Sequence, residues 1–212
     1  MLVNIDRKNG IIVNTQASIV ALHEIGMIRR EGMQKKEDRR TAMTKRMLKD
    51  ALTELLRETD IYHVSIRELC EKADVNRTTF YKYYGSQFDL LTDMENDLLS
   101  FLSKTITEHV TNTEKIIETA CEYLEKHYEF VRLIINNNVD PLFPQKLFSL
   151  DAMREATLKE YYGKYDDSTI QYLFNYITYG AYRIICMWLC KEQRESPEQI
   201  ARLLTSFIQK QN

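Results

Sequence analysis

From Ser65 to Leu91 the chain reads SIRELCEKADVNRTTFYKYYGSQFDLL, and successive helix starts are written into it. Ser65 precedes Glu68, and Ser86 precedes Asp89. Both pairs have capping-box spacing, in which a hydroxyl accepts an N–H three residues on and the acid reaches back. Asn76 is the cap between them. Ile66, Leu69, Cys70 and Ala73 share one helical face. Asp74-Val75-Asn76 is the turn, with Val75 as its apolar plug. In the second helix Phe80 and Tyr84 point back toward Leu69 and Val75, and Gly85 ends it as a C′ residue. This is the pattern of a helix-turn-helix running into a third helix, a geometry that lays one helix in the major groove of DNA.

Arg77, Thr78, Thr79, Tyr81, Lys82 and Tyr83 are left to face outward. Arg offers a bidentate fork to guanine, Thr meets a thymine methyl or a phosphate, and Tyr and Lys hold phosphates. The helix starts at Ser65 and Ser86 add backbone N–H groups for phosphate oxygens. A capped helical pair that merely belongs to a bundle would explain the caps and the apolar face. It would not explain an outer face without a carboxylate.

Residues from about Arg39 to Leu99 resemble the N-terminal domain of the TetR family of bacterial transcriptional regulators, whose recognition helix reads roughly T-x-Y-x-H-F, then a short turn, a Lys and an acidic-Leu pair. Here the matching residues are Thr79, Tyr81, Tyr83 in the His place, Tyr84 in the Phe place, Gly85-Ser86 and Asp89-Leu90. The resemblance implies that Arg77, Thr78, Tyr81 and Lys82 meet bases and phosphates, and that Ser65 and Tyr83 meet phosphates. Gln87 departs from the pattern, standing where the family has a phosphate-binding Lys. A neutral amide still hydrogen-bonds a phosphate but removes a charge, which predicts a shallower salt dependence.

The chain has 212 residues and a formal charge of −2, so it is no general polycation. Its positive charge is local. Arg29, Arg30, Lys35, Lys36, Arg39, Arg40, Lys45, Arg46 and Lys49 crowd ahead of the motif, and Arg67, Lys72, Arg77 and Lys82 continue it. This fits a DNA-facing head on a neutral or acidic body. Four unevenly spaced Cys do not read as a disulfide framework and fit a reducing cytoplasm. No apolar run approaches the roughly 20 residues that cross a bilayer, so no membrane is expected as a partner.

After Met33 the glycines are Gly85, Gly163 and Gly180, and the prolines Pro141, Pro144 and Pro197, with no persistent strand-like alternation. The expected fold is all-α: an N-terminal three-helix helix-turn-helix domain at 33–85 and a C-terminal helical ligand-binding and dimerisation domain at 86–212. Helices are expected at about Arg39–Glu58, Ser86–His109, Thr113–His127, Glu129–Ile135, Gln145–Tyr162 and Asp167–Cys190, with a loop through Asn136-Asn137-Asn138 and Asp140–Pro144. Ser196-Pro197-Glu198-Gln199 opens a last helix with a capping box and an N1 proline. Residues 1–32 form an extension outside both domains. Arg29-Arg30 before Met33 fits a purine-rich ribosome-binding run, so translation is expected to start at Met33; a basic arm reaching toward DNA is the alternative.

On the Asp167–Cys190 helix, Phe174, Ala181, Ile185 and Trp188 lie on one side, and Tyr172, Tyr176, Tyr179 and Arg183 nearly opposite. A helix apolar nearly all round is buried on all sides. With Ile200, Leu203, Leu204, Phe207 and Ile208 on the last helix, one face serves the chain's own core and the other a second subunit, giving a homodimer. The interface is expected at Ile185, Trp188, Leu189, Leu203, Leu204 and Phe207. The segment from Tyr176 to Phe207 resembles a TetR C-terminal subtype with a Gly-containing helix ending in Trp-Leu, then Ser-Pro-Glu.

The resemblance implies a transcriptional regulator, in the first instance a repressor, that binds an inverted-repeat operator in double-stranded DNA and releases it when a small-molecule effector shifts the two heads. Candidate pocket walls are Tyr123, Tyr128, Phe143, Phe148, Tyr172, Tyr176 and Tyr179, although rings of this kind are more often ordinary core. Arg183 could anchor an anionic ligand but more often pairs at a seam. Cys186 and Cys190 lie four apart, yet no His or third Cys is near them in sequence, and they read as core thiols. His23, His63, His109 and His127 lack metal-ligand spacing. No phosphate loop or nucleophile elbow occurs, so neither an enzyme nor a cofactor is expected. The rival readings are a co-activator without an effector pocket, and a helical ligand-binding bundle with a vestigial head.

Overall fold

The computed structural model describes residues 38–136 and 139–209. The extension at 1–32, the proposed start at Met33 and Asn137-Asn138 lie outside them. The chain divides into two compact units, Met1–Met47 and Leu48–Asn212. In the first, residues 38–47 are helical.

In the second, helix α1 covers residues 48–55, and Leu48, Ala51, Leu52 and Leu55 form its buried stripe. It stops short of the expected Glu58. The chain then turns through Asp60, whose Oδ1 accepts the N–H groups of Tyr62 (2.9 Å) and His63 (3.3 Å). Next come α2 (Ile66–Lys72), α3 (Arg77–Tyr83), α4 (Gln87–Glu108), α5 (Thr113–Lys126), α6 (Tyr128–Asn136), α7 (Phe143–Phe148), α8 (Asp151–Tyr161), α9 (Asp167–Leu189) and α10 (Pro197–Gln209). Apart from an isolated bridge between Tyr162 and Tyr165, every regular element among the described residues is a helix, as the sequence predicts.

Two hydrophobic cores organise these helices. The first joins α1, α2, α3 and the start of α4 through Leu48, Leu52, Leu69, Phe80 and Leu90, and takes Leu133 from α6. The second joins Leu98 of α4, Cys121 and Leu124 of α5, Trp188 and Leu189 of α9, and Ile200 and Leu204 of α10. Helix α4 contributes to both. Its one buried charge, Glu95, is 1 % exposed and meets Lys146 Nζ of α7 at 2.7 Å. Lys146 also holds Asp140 at 2.6 Å.

The expected helix over Gln145–Tyr162 is two helices instead. Leu150 is extended (ψ 118°) and separates α7 from α8. Ser149 Oγ donates to the Lys146 carbonyl at 2.8 Å, a local bond of the kind by which Ser competes with helix continuation. Phe143 and Pro144, expected in a loop, instead begin α7. Helix α9 also differs from expectation. Ile170, Thr178, Cys186, Trp188 and Leu189 are buried, but Tyr172, Tyr176, Tyr179 and Met187 are exposed. In a single chain only one side of α9 is covered, because the neighbouring helices pack on that side alone.

Candidate nucleic-acid interface

The turn between α2 and α3 is built as the sequence predicts, with one addition. Ser65 Oγ accepts the Glu68 N–H (3.1 Å) and Asn76 Oδ1 the Thr78 N–H (2.8 Å). Between them, Val75 N–H donates to the Cys70 carbonyl and Asp74 N–H to the Glu71 carbonyl. This is a Schellman turn, whose C′ residue must be left-handed. Asp74 occupies that place with φ 51°, where glycine is the unstrained choice.

Gly85 stands at C′ as expected, but without the left-handed φ that favours glycine there. The residue closing α3 is Tyr84, in an extended conformation (φ −139°, ψ 135°). The Gly85 N–H donates to Asp89 Oδ2 at 3.0 Å, and a Cβ built on Gly85 would lie 2.9 Å from that oxygen, so the Asp89 carboxylate would have to turn aside for it. Ser86 Oγ accepts the Asp89 N–H at 3.3 Å, while the Asp89 carboxylate reaches to the residue before the cap.

Phe80 is fully buried and Tyr84 nearly so, and they hold the back of α3. Burying one such ring stabilises by about 1.5–3 kcal/mol. Tyr84 carries a hydroxyl where the family pattern has Phe, and a buried hydroxyl needs a partner. Tyr84 OH donates to Asp93 Oδ2 at 2.8 Å, which pairs with Lys49 Nζ at 2.8 Å, and that Nζ also meets Asp97 at 2.5 Å. The sequence signal for this network was the Tyr itself, together with the acids Asp93 and Asp97, one turn apart on α4. Burial and the adjacent carboxylate push the Tyr84 phenol well above its ordinary range.

With its back fixed, α3 presents Arg77, Thr78, Tyr81 and Lys82 outward, and Tyr81 is 51 % exposed. Thr79 is half-buried, and Tyr83 packs partly against the first core with Lys82 Nζ 5.6 Å from its ring. No acid stands in the first turn of α3. The basic run expected across the head is largely neutralised in α2: Arg67 pairs with Glu71 and Lys72 with Glu54, both at 2.8 Å. Ser65 is exposed at the start of α2. Gln87 is half-buried, and its amide donates to the Ile61 carbonyl at 3.4 Å.

The residues expected to wall an effector pocket do not converge. Phe143 is buried in the second core. Tyr123 stacks on Phe101 at 3.8 Å, and Tyr128 lies under the Arg194 guanidinium at 4.1 Å. Phe148 meets Tyr179 at 4.2 Å, while Tyr172 and Tyr176 are on the surface. A cleft of about 730 Å³ lies elsewhere, lined by Asn96, Leu99, Ser100, Ser103, Lys104, Thr107 and Glu108 of α4 and by Leu150. Sequence reasoning missed it. Its signal was the small polar series Asn96, Ser100, Ser103, Thr107 at helical spacing.

Of the residues expected at an interface between copies, Trp188, Leu189 and Leu204 are at most 2 % exposed in the chain's own core, so they cannot be an interface surface. Trp188 is held further by its indole N–H on the Glu195 carbonyl at 2.8 Å. Ile185 is half-buried against the second core, and Leu203 and Phe207 are exposed. Burial pushes the Cys121 thiol up to about 12 and also raises Cys186, so both are inert core thiols. No metal-binding cluster of His, Cys, Asp or Glu occurs among the described residues, and none of their helices is long and apolar enough to cross a membrane.

A capped helical pair with an open Arg-Thr-Tyr-Lys face, set on an all-helical body, defines a helix-turn-helix DNA-binding protein. Residues 48–94 match the family described as bacterial regulatory proteins, tetR family, and residues 111–210 match a transcriptional regulator C-terminal region. The chain belongs to the TetR family of bacterial transcriptional regulators. Its head, over residues 48–94, is of that family's DNA-binding type. A relative in Bacillus subtilis (strain 168), the uncharacterized HTH-type transcriptional regulator YxbF, is 24% identical over 176 residues, covering 76% of this chain and 43% of its own length. The chain thus spans under half of that curated relative. Among solved structures, a TetR transcriptional regulator from Streptococcus agalactiae 2603V has a TM-score of 0.59 at 21% identity, covering 81% of this chain and 97% of that one. The dihydroxyacetone kinase operon activator DhaS has a TM-score of 0.59 at 16% identity, covering 79% and 95%. These likenesses show the shared fold.

Proposed function

We propose that two copies of this chain bind an inverted-repeat operator, each placing α3 in the major groove, and repress the adjoining gene until a small molecule binds the body. The head at 33–85 would read DNA, and the body at 86–212 would pair the copies and take the effector, all in the cytoplasm. The observation that carries the reading is the open face of α3, Arg77, Thr78, Tyr81 and Lys82, on a helix whose back is locked by Phe80 and Tyr84. Ser65 and Tyr83 would hold phosphates beside it. Half-site centres would lie about 34–36 Å apart or at a multiple of that spacing.

The pairing surface would be the exposed stripe of Tyr172, Tyr176, Tyr179 and Met187 on α9 with Leu203 and Phe207 on α10. Tyr172, Tyr176 and Tyr179 recur at four- and three-residue intervals, the exposed Arg183 continues the row to Met187, and Leu203 and Phe207 stand four apart, so each set forms one ridge. The open cleft along α4 would be the place for an effector, because its lining residues adjoin one another whereas the expected tyrosines are dispersed.

The test is a gel shift on the DNA upstream of the chain's own gene. Arg77→Ala should weaken the specific complex by about 1–3 kcal/mol and relax base preference at one position. Equal weakening on specific and random DNA would remove the base-reading role. A second reading, activation through protein partners without an effector, is favoured by the scattered aromatic residues and by the structural likeness to DhaS, a protein named as an operon activator. A promoter fusion compared with and without the gene separates the two signs of regulation.

A further inference from the structure

We propose that the exposed ring pair Tyr62 and Phe88 is a contact for the sugar-phosphate backbone of the bound duplex, with the Tyr62 hydroxyl donating to a phosphate at the edge of the half-site. This rests on the reading of α3 as the DNA-recognition helix. Tyr62 is 78 % exposed, and its ring lies 5.4 Å from that of Phe88, itself 39 % exposed.

The loop that presents the ring is fixed on both sides. Ile61 and Val64 are anchors in the first core, each 2 % exposed. Asp60 Oδ1 takes the N–H groups of Tyr62 and His63, and Gln87 donates to the Ile61 carbonyl. Tyr62 is therefore held outward by a rigid frame, and little freedom is lost when it meets a ligand.

Continuity with the DNA interface argues for DNA as the occupant. Tyr62 stands three residues ahead of Ser65, the cap of α2, and the first helix of such a motif crosses the phosphate backbone. Phe88 is in the first turn of α4, just past the end of α3. The nearby acids are turned onto the protein's own donors. Asp60 Oδ2 faces His63 Nδ1 at 2.8 Å, and Asp89 Oδ2 takes the Gly85 N–H. Beside the exposed Asp60–His63 pair stand a phenol donor and two ring surfaces, which suit a phosphate oxygen and the apolar edge of a deoxyribose. The residue that would supply a phosphate contact here by family resemblance is Gln87, and its amide is used on the loop instead. The contact is thus moved from α4 to the loop that α4 braces.

The test uses the full chain and a duplex that it selects from a random pool, beside a scrambled duplex of equal length. Tyr62→Phe should weaken both duplexes by the same factor, about five- to tenfold, since a phosphate contact carries no sequence information. The slope of affinity against salt should stay at its wild-type value, because the lost group bears no charge. Ethylation of one phosphate flanking the half-site should hinder the wild type and cease to hinder the variant. Arg77→Ala should instead weaken the selected duplex more than the scrambled one. A Tyr62→Phe protein that binds both duplexes as tightly as the wild type, with unchanged ethylation interference, overturns the proposal and leaves the α3 reading intact. If the wild type selects no duplex at all, both readings fall. Unchanged DNA binding alongside lost association with a protein would assign the ring pair to a protein partner and would likewise overturn the proposal.

Discussion

Helices α3 and α9 each turn one face away from their own core, and the two open faces differ in chemistry. On α3 it is Arg77, Thr78, Tyr81 and Lys82; on α9 it is Tyr172, Tyr176, Tyr179 and Met187, with a single cation, Arg183, among them. The first is rich in donors and poor in apolar area, which favours a polyanion that keeps its water. The second is mostly ring and thioether, surface that gains by leaving water and so favours another protein face. The supports differ as well. Helix α3 is held by rings beneath it and by the Tyr84–Asp93–Lys49 chain, whereas α9 lies on a hydrophobic layer with its indole tied to Glu195.

The sharpest way to break this contrast is to remove the support under α3. Phe80→Ala should destabilise the protein by about 3–5 kcal/mol, read by urea unfolding, and should abolish DNA binding while the body stays helical by circular dichroism.

Next in size is the buried pair joining α4 to α7. Lys146→Met leaves Glu95 without its cation and should cost about 3 kcal/mol at neutral pH. Burial raises the Glu95 carboxyl above its ordinary value, with Lys146 pulling the other way. The folded state therefore holds that proton more tightly than the unfolded chain. The stability Glu95 contributes in its protonated form is full below the ordinary carboxylate range and is lost as pH rises through its folded value. Lys146→Met should steepen this loss, and Glu95→Gln in the same protein should flatten it. Unfolding midpoints measured from pH 4 to 8, a range of about four units chosen to span that titration, check both slopes.

A smaller effect is expected at the open face of α9. Charging it with Met187→Glu together with Phe207→Glu should shift sedimentation from dimer to monomer, with the melting temperature of dilute protein nearly unchanged, because neither side chain is part of the chain's own core. A double variant that still sediments as the wild type would move the pairing surface elsewhere. The smallest effect is expected in the turn before α3. Asp74→Gly relieves a left-handed non-glycine residue and should stabilise by about 0.5–1 kcal/mol, seen as a rise in the urea midpoint.

The head was more legible in the sequence than the body. Its caps at Ser65, Asn76 and Ser86 and its inward Phe80 and Tyr84 depend on neighbours within a few residues, and local spacing reports such contacts faithfully. Where the head reading strayed, at Gln87, the deciding contact was made with another loop. In the body, the helix expected over Gln145–Tyr162 broke at Leu150, and Trp188, Leu189 and Leu204 turned inward. Periodicity marks a residue as apolar and assigns it a helix face, but it does not name the neighbour that face meets.

By itself, then, the sequence determined the all-helical class, the capped pair and the polar outer face of α3, because caps, turns and helical stripes are short-range physics. Tertiary packing decided which apolar residues α9 spends on its own core and which it leaves open, how Glu95 finds Lys146 across the chain, and how Tyr62 comes to stand beside Phe88. Those outcomes depend on which distant surfaces meet, and the free energy of burial depends on that meeting rather than on the residue alone.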